Sequence, residues 1–348
     1  MSTSSKLTVI NTIATMRQFV REHRKQNANV CVALVPTMGA LHQGHLRLAH
    51  QARQCHNDEE KSGTTDQCAS PPLVIVSIFV NPLQFGPNED YERYPRTLEA
   101  DLAKLEGVAD CAFVPNAMEM FGEEKQPLKH QDEEDGIGIK SGRIGRILEG
   151  VTRPQYHDGM LLHVAKLFNI VQPDSAFFGK KDAQQLFAIQ QITAVMNFPV
   201  HVVPVETERD PDGLALSSRN QYLSAEERRR ALCLYNMLVA ARNAATNGAG
   251  LASVAAQAHQ MLAQAEKQDG IKTDYFAVVD PDTFSPLEGD KMEQFKGKAL
   301  LLVAIFMGRT RLVDNMENVC WRNVRVFAYK LVCEMSIFGI CFRCVIID

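Results

Sequence analysis

The sequence predicts an α/β fold: a Rossmann-like, doubly wound parallel sheet followed by a smaller C-terminal α+β domain. Five short apolar runs indicate buried strands, at 30–35, 73–80, 111–114, 175–178 and 200–205. Helical patterns separate these runs, and this alternation is typical of a parallel sheet covered on both faces. Polar motifs follow several runs, at the edge where such sheets bind ligands. We therefore predict a ligand-binding domain over 1–206.

The segments between the apolar runs predict the helices of this domain, at 12–25, 45–54, 98–105, 159–171 and 183–196. Two polar stretches, Asn57–Ser70 and Glu123–Gly142, interrupt the pattern. They contain few apolar residues that could pack into a core. We therefore predict a flexible insertion and a loop, respectively.

The pattern changes after residue 206, where we predict an α+β domain over 207–317. Ser224-Ala225-Glu226-Glu227 has the spacing of a helix capping box. An Ala-rich helical stretch follows, and strands are predicted at 275–279 and 299–306. The residues beyond this domain, 318–348, form an atypical Cys-rich tail.

Composition limits the class of protein. The chain has 348 residues, a formal net charge of −4 and nine cysteines. Nucleic-acid-coating proteins usually carry a basic surplus, so no nucleic-acid partner is expected. The odd cysteine count favours reduced thiols and a cytoplasmic protein, with a mitochondrial address as the alternative because arginines recur over 12–25. No apolar run is long enough to span a membrane.

The segment Pro36–His45 carries the strongest chemical signal. It places His42 and His45 three residues apart in a glycine-containing turn that opens a helix. Backbone N–H groups at a helix start form an anion site, and glycine lets a phosphate approach closely. Imidazoles there can donate hydrogen bonds to phosphate oxygens. Two surface histidines in a turn are the alternative; a metal site lacks a third ligand nearby.

Two more polar motifs follow later apolar runs. Asn81–Gly86 offers the side-chain amides of Asn81 and Gln84, with a polar turn as the alternative. Gly179-Lys180-Lys181-Asp182 precedes a helix, where Lys181 could neutralise a phosphate. Asp182 is either a helix N-cap or an acceptor for ribose hydroxyls. Gln185 follows one helical turn later on the same side.

Three weaker signals complete the set. In Leu216–Asn220, two hydroxyls and a guanidinium suit a triphosphate, although a helix-capping loop has the same composition. Asp101 on a predicted helix could help to hold Mg²⁺, with a solvated helix face as the alternative. In the tail, Cys341-Phe342-Arg343-Cys344 is a lone CxxC, and the lack of a second pair disfavours zinc.

Together these residues resemble the pantoate–β-alanine ligase (pantothenate synthetase) family over about 7–317. The landmarks stand in order at 36–45, 79–85, 94–97, 178–182, 212–220 and 310–315. This family lies in the nucleotidyltransferase superfamily with HIGH and KMSKS-like signatures. His42-Gln43-Gly44-His45 matches the first signature, and Leu216-Ser217-Ser218-Arg219 stands in for the second. The resemblance also implies a homodimer.

The resemblance implies a two-step reaction. The pantoate carboxylate attacks the α-phosphorus of ATP, with Mg²⁺ present, and pyrophosphate leaves. β-Alanine then attacks the pantoyl-adenylate, giving pantothenate and AMP. Such a reaction needs no covalent enzyme nucleophile, so catalysis consists of positioning and charge stabilisation.

The family pattern implies a role for each candidate site residue. ATP contacts are implied for Met38, Gly39, His42, His45, Gly179, Lys181, Asp182, Leu216, Ser217, Ser218 and Arg219. Those that would act on the phosphates during catalysis are His42, His45, Lys181, Ser217, Ser218 and Arg219. Pantoate and β-alanine contacts are implied for Pro36, Thr37, Met38, Asn81, Gln84, Tyr94, Arg153 and Gln185. Asp101 would lie near Mg²⁺.

The chain departs from the family pattern at several positions. Arg153-Pro154-Gln155-Tyr156-His157 stands where the family usually has Arg-Pro-x-His-Phe. Lys180 replaces an expected Glu, and Ala183 an expected aromatic. These departures bear on pocket shape and efficiency more than on reaction class. Two other functions stay open: a nucleotidyltransferase that leaves the nucleotide on its product, and a non-catalytic nucleotide-binding module.

Overall fold

A computed structural model of the chain describes residues 6–59, 71–87, 89–122 and 138–317. Its first sheet has six strands: β1 Thr8–Ile10, β2 Val32–Thr37, β3 Leu73–Ile78, β4 Cys111–Phe113, β5 Ser175–Gly179 and β6 His201–Val205. Every pairing is parallel, in the spatial order β1-β4-β3-β2-β5-β6. The order reverses beside β2, so β2 and its neighbours form the switch point where such sheets bind ligands. The predicted doubly wound parallel sheet is confirmed.

Helices cover both faces of this sheet. They are α1 Ile13–Gln26, α2 Gln43–Glu59, α3 Leu98–Leu105, α4 Ala117–Phe121, α5 Glu149–Thr152, α6 Tyr156–Val171 and α7 Ala183–Val195. On β2, Val32 and Leu34 pack into a core with residues of α1, α6 and α7. Ala33 and Val35 point the other way, into a core with residues of α2 and α3. Because both faces are buried, the strand is continuously apolar rather than alternating.

The rest of the described chain forms an antiparallel sheet with helices. The strands are β7 Ile271–Asp280, β8 Ser285–Pro286, β9 Leu300–Met307 and β10 Thr310–Glu317, in the order β10-β9-β7-β8. The helices are α8 Ala225–Ala231, α9 Cys233–Thr246, α10 Leu251–Asp269 and α11 Asp290–Gln294. Leu301 and Val303 of β9 pack with these helices. Leu300 and Leu302 face the other way and join the core of the first sheet, so the two sheets are packed together.

Several local features agree with or depart from the sequence predictions. The capping box at Ser224 is confirmed, with both reciprocal hydrogen bonds to Glu227. The sequence did not predict β1, α4 or β10. Cys31 is disulfide-bonded, contrary to the expectation of reduced thiols, whereas Cys111 and Cys233 are free.

Other predictions fall partly or wholly on undescribed residues. The start of the predicted 57–70 insertion belongs to α2, and 60–70 lie outside the described residues. So do 123–137 of the predicted second loop and all of the tail, 318–348, with its CxxC. Among the helices that the structure describes, each is too short or too polar to cross a membrane.

Candidate active site

A cavity of about 840 Å³ opens at the carboxyl ends of β2, β5 and β6. Its walls include the loop after β3, helix α6 and the β9–β10 hairpin. Most of the predicted site residues line it: Pro36, Thr37, Met38, His42, His45, Gln84, Tyr94, Arg153, Gly179, Lys181, Asp182, Gln185, Leu216, Ser217, Ser218 and Arg219. Gly39, Asn81 and Asp101 are not part of the lining. The fold thus brings segments from five parts of the chain to one space.

The turn between β2 and α2 holds two histidine rings side by side. Gly39 and Ala40 have positive φ angles of 78° and 49°, which reverse the chain before the helix. Nδ1 of His42 accepts a hydrogen bond from the backbone N–H of Gly44 at 3.1 Å. Nδ1 of His45 accepts one from the N–H of His42 at 3.2 Å. Since both Nδ1 atoms are acceptors, both rings carry their proton on Nε2.

The surroundings keep both imidazoles neutral. Burial, with Lys181 as the next cause, lowers the pKa of His42 to about 4. Burial and the neighbouring His42 hold the pKa of His45 well below its ordinary value. The ring centroids are 4.0 Å apart, a separation at which two positive charges would repel each other strongly. The pair can therefore act as neutral hydrogen-bond donors at neutral pH.

Asp101 supports this turn from behind and does not face the cavity. Its carboxylate accepts hydrogen bonds from the backbone N–H groups of Ala40 and Leu41, both at 2.8 Å. The side chain of Lys104 donates to the carbonyl of Leu41 at 2.6 Å. Asp101 is only 1% exposed. In this geometry its oxygens shape the turn, and a place for Asp101 near Mg²⁺ stays a prediction.

Asn81 is held by structural contacts, and its expected contact with the substrate stays a prediction. It is fully buried, its Nδ2 donates to the carbonyl of Gly159 at 3.1 Å, and its Oδ1 accepts from the N–H of Leu83 at 3.2 Å. A Cβ at Gly159 would lie 2.1 Å from the Leu83 carbonyl oxygen, so glycine is required for this approach. The contact ties α6 to the short helix Pro82–Gln84 and presents Gln84 to the cavity.

The loop Leu216–Arg219 lies against the histidine turn. The hydroxyl of Ser218 donates to the carbonyl of Ala40 at 3.0 Å, which fixes the loop beside α2. The guanidinium of Arg219 makes two 2.9 Å hydrogen bonds to the carboxylate of Asp90. Ser217 accepts a hydrogen bond from the N–H of Arg219, so the helix-capping alternative also describes this loop. Asp90 lines the cavity and was missed by the sequence analysis.

The two lysines after β5 have different surroundings. The ammonium of Lys180 pairs with Glu206 at 2.5 Å and lies 3.7 Å from Glu317. These two carboxylates compensate its positive charge. Lys181 lies in the cavity wall. The side-chain amide of Asn315 on β10 donates to the carbonyls of Lys180 and Lys181, at 2.8 and 2.7 Å. The second sheet therefore positions the backbone that carries Lys181.

A buried ionic network on the opposite wall was also missed. Glu149 accepts hydrogen bonds from Arg153 at 2.8 Å and from Arg311 at 2.9 Å. Despite burial, which opposes ionisation, these arginines lower the pKa of Glu149 to about 2. Arg311 continues to Asp274 at 2.7 Å, and Arg153 to Glu89 at 2.6 Å. The network joins α5 to the second sheet; Arg311 stood in a family landmark, but no sequence pattern pointed to its partners.

The side chains present offer few ligands for a metal ion. Within the described ranges, no group of three or more His, Cys, Asp or Glu side chains could hold a metal ion. Mg²⁺ typically needs only one or two carboxylates when phosphates supply its other ligands. Asp182 and Glu208 line the cavity and could supply that share. The donor set thus fits a cation that arrives with a nucleotide.

The fold and the cavity define a class of protein: a doubly wound α/β protein whose switch point carries a turn suited to binding an anion. A family model described as pantoate-beta-alanine ligase matches residues 8–317. The chain belongs to this family. Curated pantothenate synthetases are similar to most of this chain. That of Thermobifida fusca is 46% identical over 288 residues, which are 82% of this chain and 88% of the relative. That of Leifsonia xyli subsp. xyli is 43% identical over 284 residues, again 82% and 88%.

Solved structures give the same result. Pantothenate synthetase from Thermus thermophilus is 37% identical and superposes with a TM-score of 0.74, covering 89% of this chain and 99% of that chain. Pantoate-beta-alanine ligase from Francisella tularensis is 27% identical, with a TM-score of 0.63 and coverage of 89% and 97%. That protein was solved in complex with beta-gamma ATP and beta-alanine.

Proposed function

We propose that this protein condenses pantoate with β-alanine at the expense of ATP, through a pantoyl-adenylate, releasing pyrophosphate and AMP. One observation carries the proposal most: His42 and His45 are held as neutral Nε2 donors in a cavity that Lys181 and Ser217–Arg219 also line. Membership of the ligase family supports the choice of substrates.

In the first step, a pantoate carboxylate oxygen forms a bond to the α-phosphorus while the bond to pyrophosphate breaks. Negative charge moves towards the departing phosphates, where preorganised donors stabilise it. His42, His45 and Lys181 supply such donors, with Ser217 and Arg219 from the facing loop, and with Ser218 once its hydroxyl leaves the Ala40 carbonyl. Mg²⁺ bound with ATP would offset part of the phosphate charge. Met38, Gly39, Gly179, Asp182 and Leu216 are proposed to hold the rest of the nucleotide.

The acid is proposed to lie on the other side of the same cavity. Gln84 and Gln185 present amides there, and Pro36, Thr37 and Tyr94 border the space. Arg153 has its guanidinium on Glu89 and Glu149, so it shapes the wall and need not pair with the substrate. Asn81 acts through the position of Gln84.

In the second step, the amine of β-alanine attacks the acyl carbon, a new amide bond forms, and AMP leaves with the bridging oxygen. Water competes with this amine for the same anhydride, so the cavity must exclude it. Thr310 and Arg311 of the β9–β10 hairpin line the cavity and close it from the side of the second sheet.

ATP–pyrophosphate exchange tests the proposal and separates it from the two alternatives. Purified protein should exchange labelled pyrophosphate into ATP only when pantoate is added, and subsequent β-alanine should release AMP. Exchange without AMP release would favour a nucleotidyltransferase that keeps the nucleotide on its product. No pantoate-dependent exchange would leave only a nucleotide-binding module. His42→Ala and His45→Ala should each slow exchange by about 10²–10³-fold, as expected for a lost transition-state donor.

We further propose that the protein is a homodimer, on the family resemblance alone, and that it is cytoplasmic, on its composition. Light scattering coupled to size-exclusion chromatography should give twice the mass of the chain, and fractionation should recover the protein with the cytosol. A monomeric mass at micromolar concentration would contradict the homodimer. Recovery with mitochondria would contradict the cytoplasmic location.

A further inference from the structure

Tyr156 begins helix α6 and directs its hydroxyl to Gln185 on α7. The phenolic oxygen lies 2.5 Å from Oε1 of Gln185. The guanidinium of Arg153 lies over the Tyr156 ring, 3.9 Å from its centroid, and Arg153 is itself fixed by Glu89 and Glu149. Both Tyr156 and Gln185 line the cavity. The phenol is thus held in one place by a cation–π contact and points at one acceptor.

A hydrogen bond from this hydroxyl determines which end of the Gln185 amide faces the cavity. Oε1 is an acceptor and Nε2 carries two donor hydrogens. Because burial raises the pKa of Tyr156 far above neutral pH, the phenol stays protonated and donates to Oε1. In the described part of the chain, no hydrogen bond from Nε2 of Gln185 is seen, so its N–H groups remain for a ligand.

We propose that Tyr156 is a positioning residue for the acid substrate: it orients Gln185 so that Nε2, and not Oε1, meets the carboxylate and hydroxyl oxygens of that substrate. This inference rests on the proposed function. A carboxylate accepts hydrogen bonds but cannot donate them, so the flipped amide would place two acceptors against each other. A histidine at this position could also donate, through a ring N–H.

Tyr156→Phe tests the inference by the substrate whose binding it weakens. A typical hydrogen bond contributes about 1 kcal/mol, and 1.4 kcal/mol corresponds to tenfold. In the exchange assay, the KM for pantoate should rise about fivefold, while the KM for ATP stays within about twofold. Tyr156→His should bring the KM for pantoate back close to the wild-type value, because it restores a hydrogen-bond donor. An equal rise in the KM values for pantoate and ATP would overturn the inference. So would a KM for pantoate that stays raised in Tyr156→His.

A double-mutant cycle separates positioning through Gln185 from a general effect on packing. In a Gln185→Ala background, Tyr156→Phe should change the KM for pantoate no further, because the amide to be oriented is absent. An equal effect of about fivefold in both backgrounds would contradict the inference. Tyr235→Phe is the matched control: this ring also lies under an arginine, Arg209 at 5.0 Å, but outside the cavity lining.

These outcomes are distinct from failure of the proposed function. If the wild-type protein shows no pantoate-dependent exchange, the proposed function fails and the inference falls with it. If the wild-type protein exchanges normally and Tyr156→Phe leaves the KM for pantoate unchanged, the inference alone fails. Thermal melting of each variant shows whether it is folded, and Tyr156→Met, which also lacks the hydroxyl donor, repeats the test if Tyr156→Phe melts early.

Discussion

The backbone N–H of His42 donates a hydrogen bond to Nδ1 of His45, at 3.2 Å. This bond occupies the lone pair that a general base at Nδ1 would use, and it places the ring proton on Nε2. The imidazoles are therefore arranged as Nε2 donors. A catalytic role in proton transfer would require a pKa near the working pH, whereas the pKa of His42 lies at about 4.

The first prediction concerns pH. Above about pH 6, both histidines should already be neutral, so the maximal exchange rate should show no titration that depends on His42. The measurement is the exchange rate at saturating ATP and pantoate across about pH 6 to 8, in wild type and in His42→Asn, which keeps a neutral donor. A wild-type limb with a pKa near the ordinary 6.5 that disappears in His42→Asn would show that the histidine titrates during turnover.

The second prediction separates support of the turn from metal binding at Asp101. Asp101→Asn removes the charged acceptor of the Ala40 and Leu41 N–H groups, so exchange should slow by about tenfold or more because the donors are displaced. The Mg²⁺ concentration for half-maximal rate should stay within about twofold if Asp101 supports the turn and does not bind the cation. Glu99→Gln, at an exposed position of the same helix, is the control. A large rise in the Mg²⁺ requirement of Asp101→Asn alone would restore the ligand assignment.

The third prediction concerns His157, in the first turn of α6. It is fully buried, and neither ring nitrogen has a hydrogen-bond partner within the described residues. An unsatisfied buried polar group costs about 1–3 kcal/mol. His157→Phe should therefore raise the free energy of unfolding by about that amount, measured by urea denaturation.

The gain from His157→Phe should grow as the pH falls. Burial lowers the pKa of His157 from 6.5 to about 4, so the unfolded chain binds the proton more readily between these values. The stability associated with the neutral ring is fully present above pH 6.5 and is lost as the pH falls towards 4. Unfolding midpoints of both proteins at several pH values check this. A gain that is equal at every pH would contradict the assigned ionisation.

The fourth prediction concerns Asn315, whose amide holds the carbonyls of Lys180 and Lys181. Asn315→Ala removes both hydrogen bonds and should loosen the backbone that carries Lys181. The KM for ATP should rise by about tenfold, with the KM for pantoate changed much less. Asn243→Ala, at an exposed position on α9, is the control. An unchanged KM for ATP would mean that Lys181 keeps its position without the second sheet.

Much of the fold could be predicted because local pattern and buried environment agree. The strand at 73–80 is a run of β-branched and apolar residues, and its two faces meet two cores. β1 escaped prediction because it has only three residues. β10 escaped because Arg311 and Asp314 interrupt its apolar alternation. Asp314 is nevertheless buried, paired with Arg209 at 2.6 Å, and such a partner 105 residues away leaves no local signal.

In the candidate site, too, contacts between residues far apart in the sequence could not be predicted. Motif chemistry predicted which residues gather at the sheet edge, because the carboxyl ends of parallel strands meet there. It could not predict orientation: Asp101 and Asn81 have suitable oxygens, yet both turn them towards backbone N–H groups. The pairing of Glu149 with Arg311 spans 162 residues and could only be seen after folding.

The central claim is that a carboxylate oxygen of pantoate attacks the α-phosphorus of ATP. The most direct measurement uses pantoate labelled with ¹⁸O in its carboxyl group, with ATP and β-alanine, and mass spectrometry of the products. The account predicts that AMP acquires a single labelled oxygen for each pantothenate formed, because the bridging oxygen leaves with the phosphate. Label in orthophosphate, with ADP as the nucleotide product, would show attack at the γ-phosphorus and contradict the account.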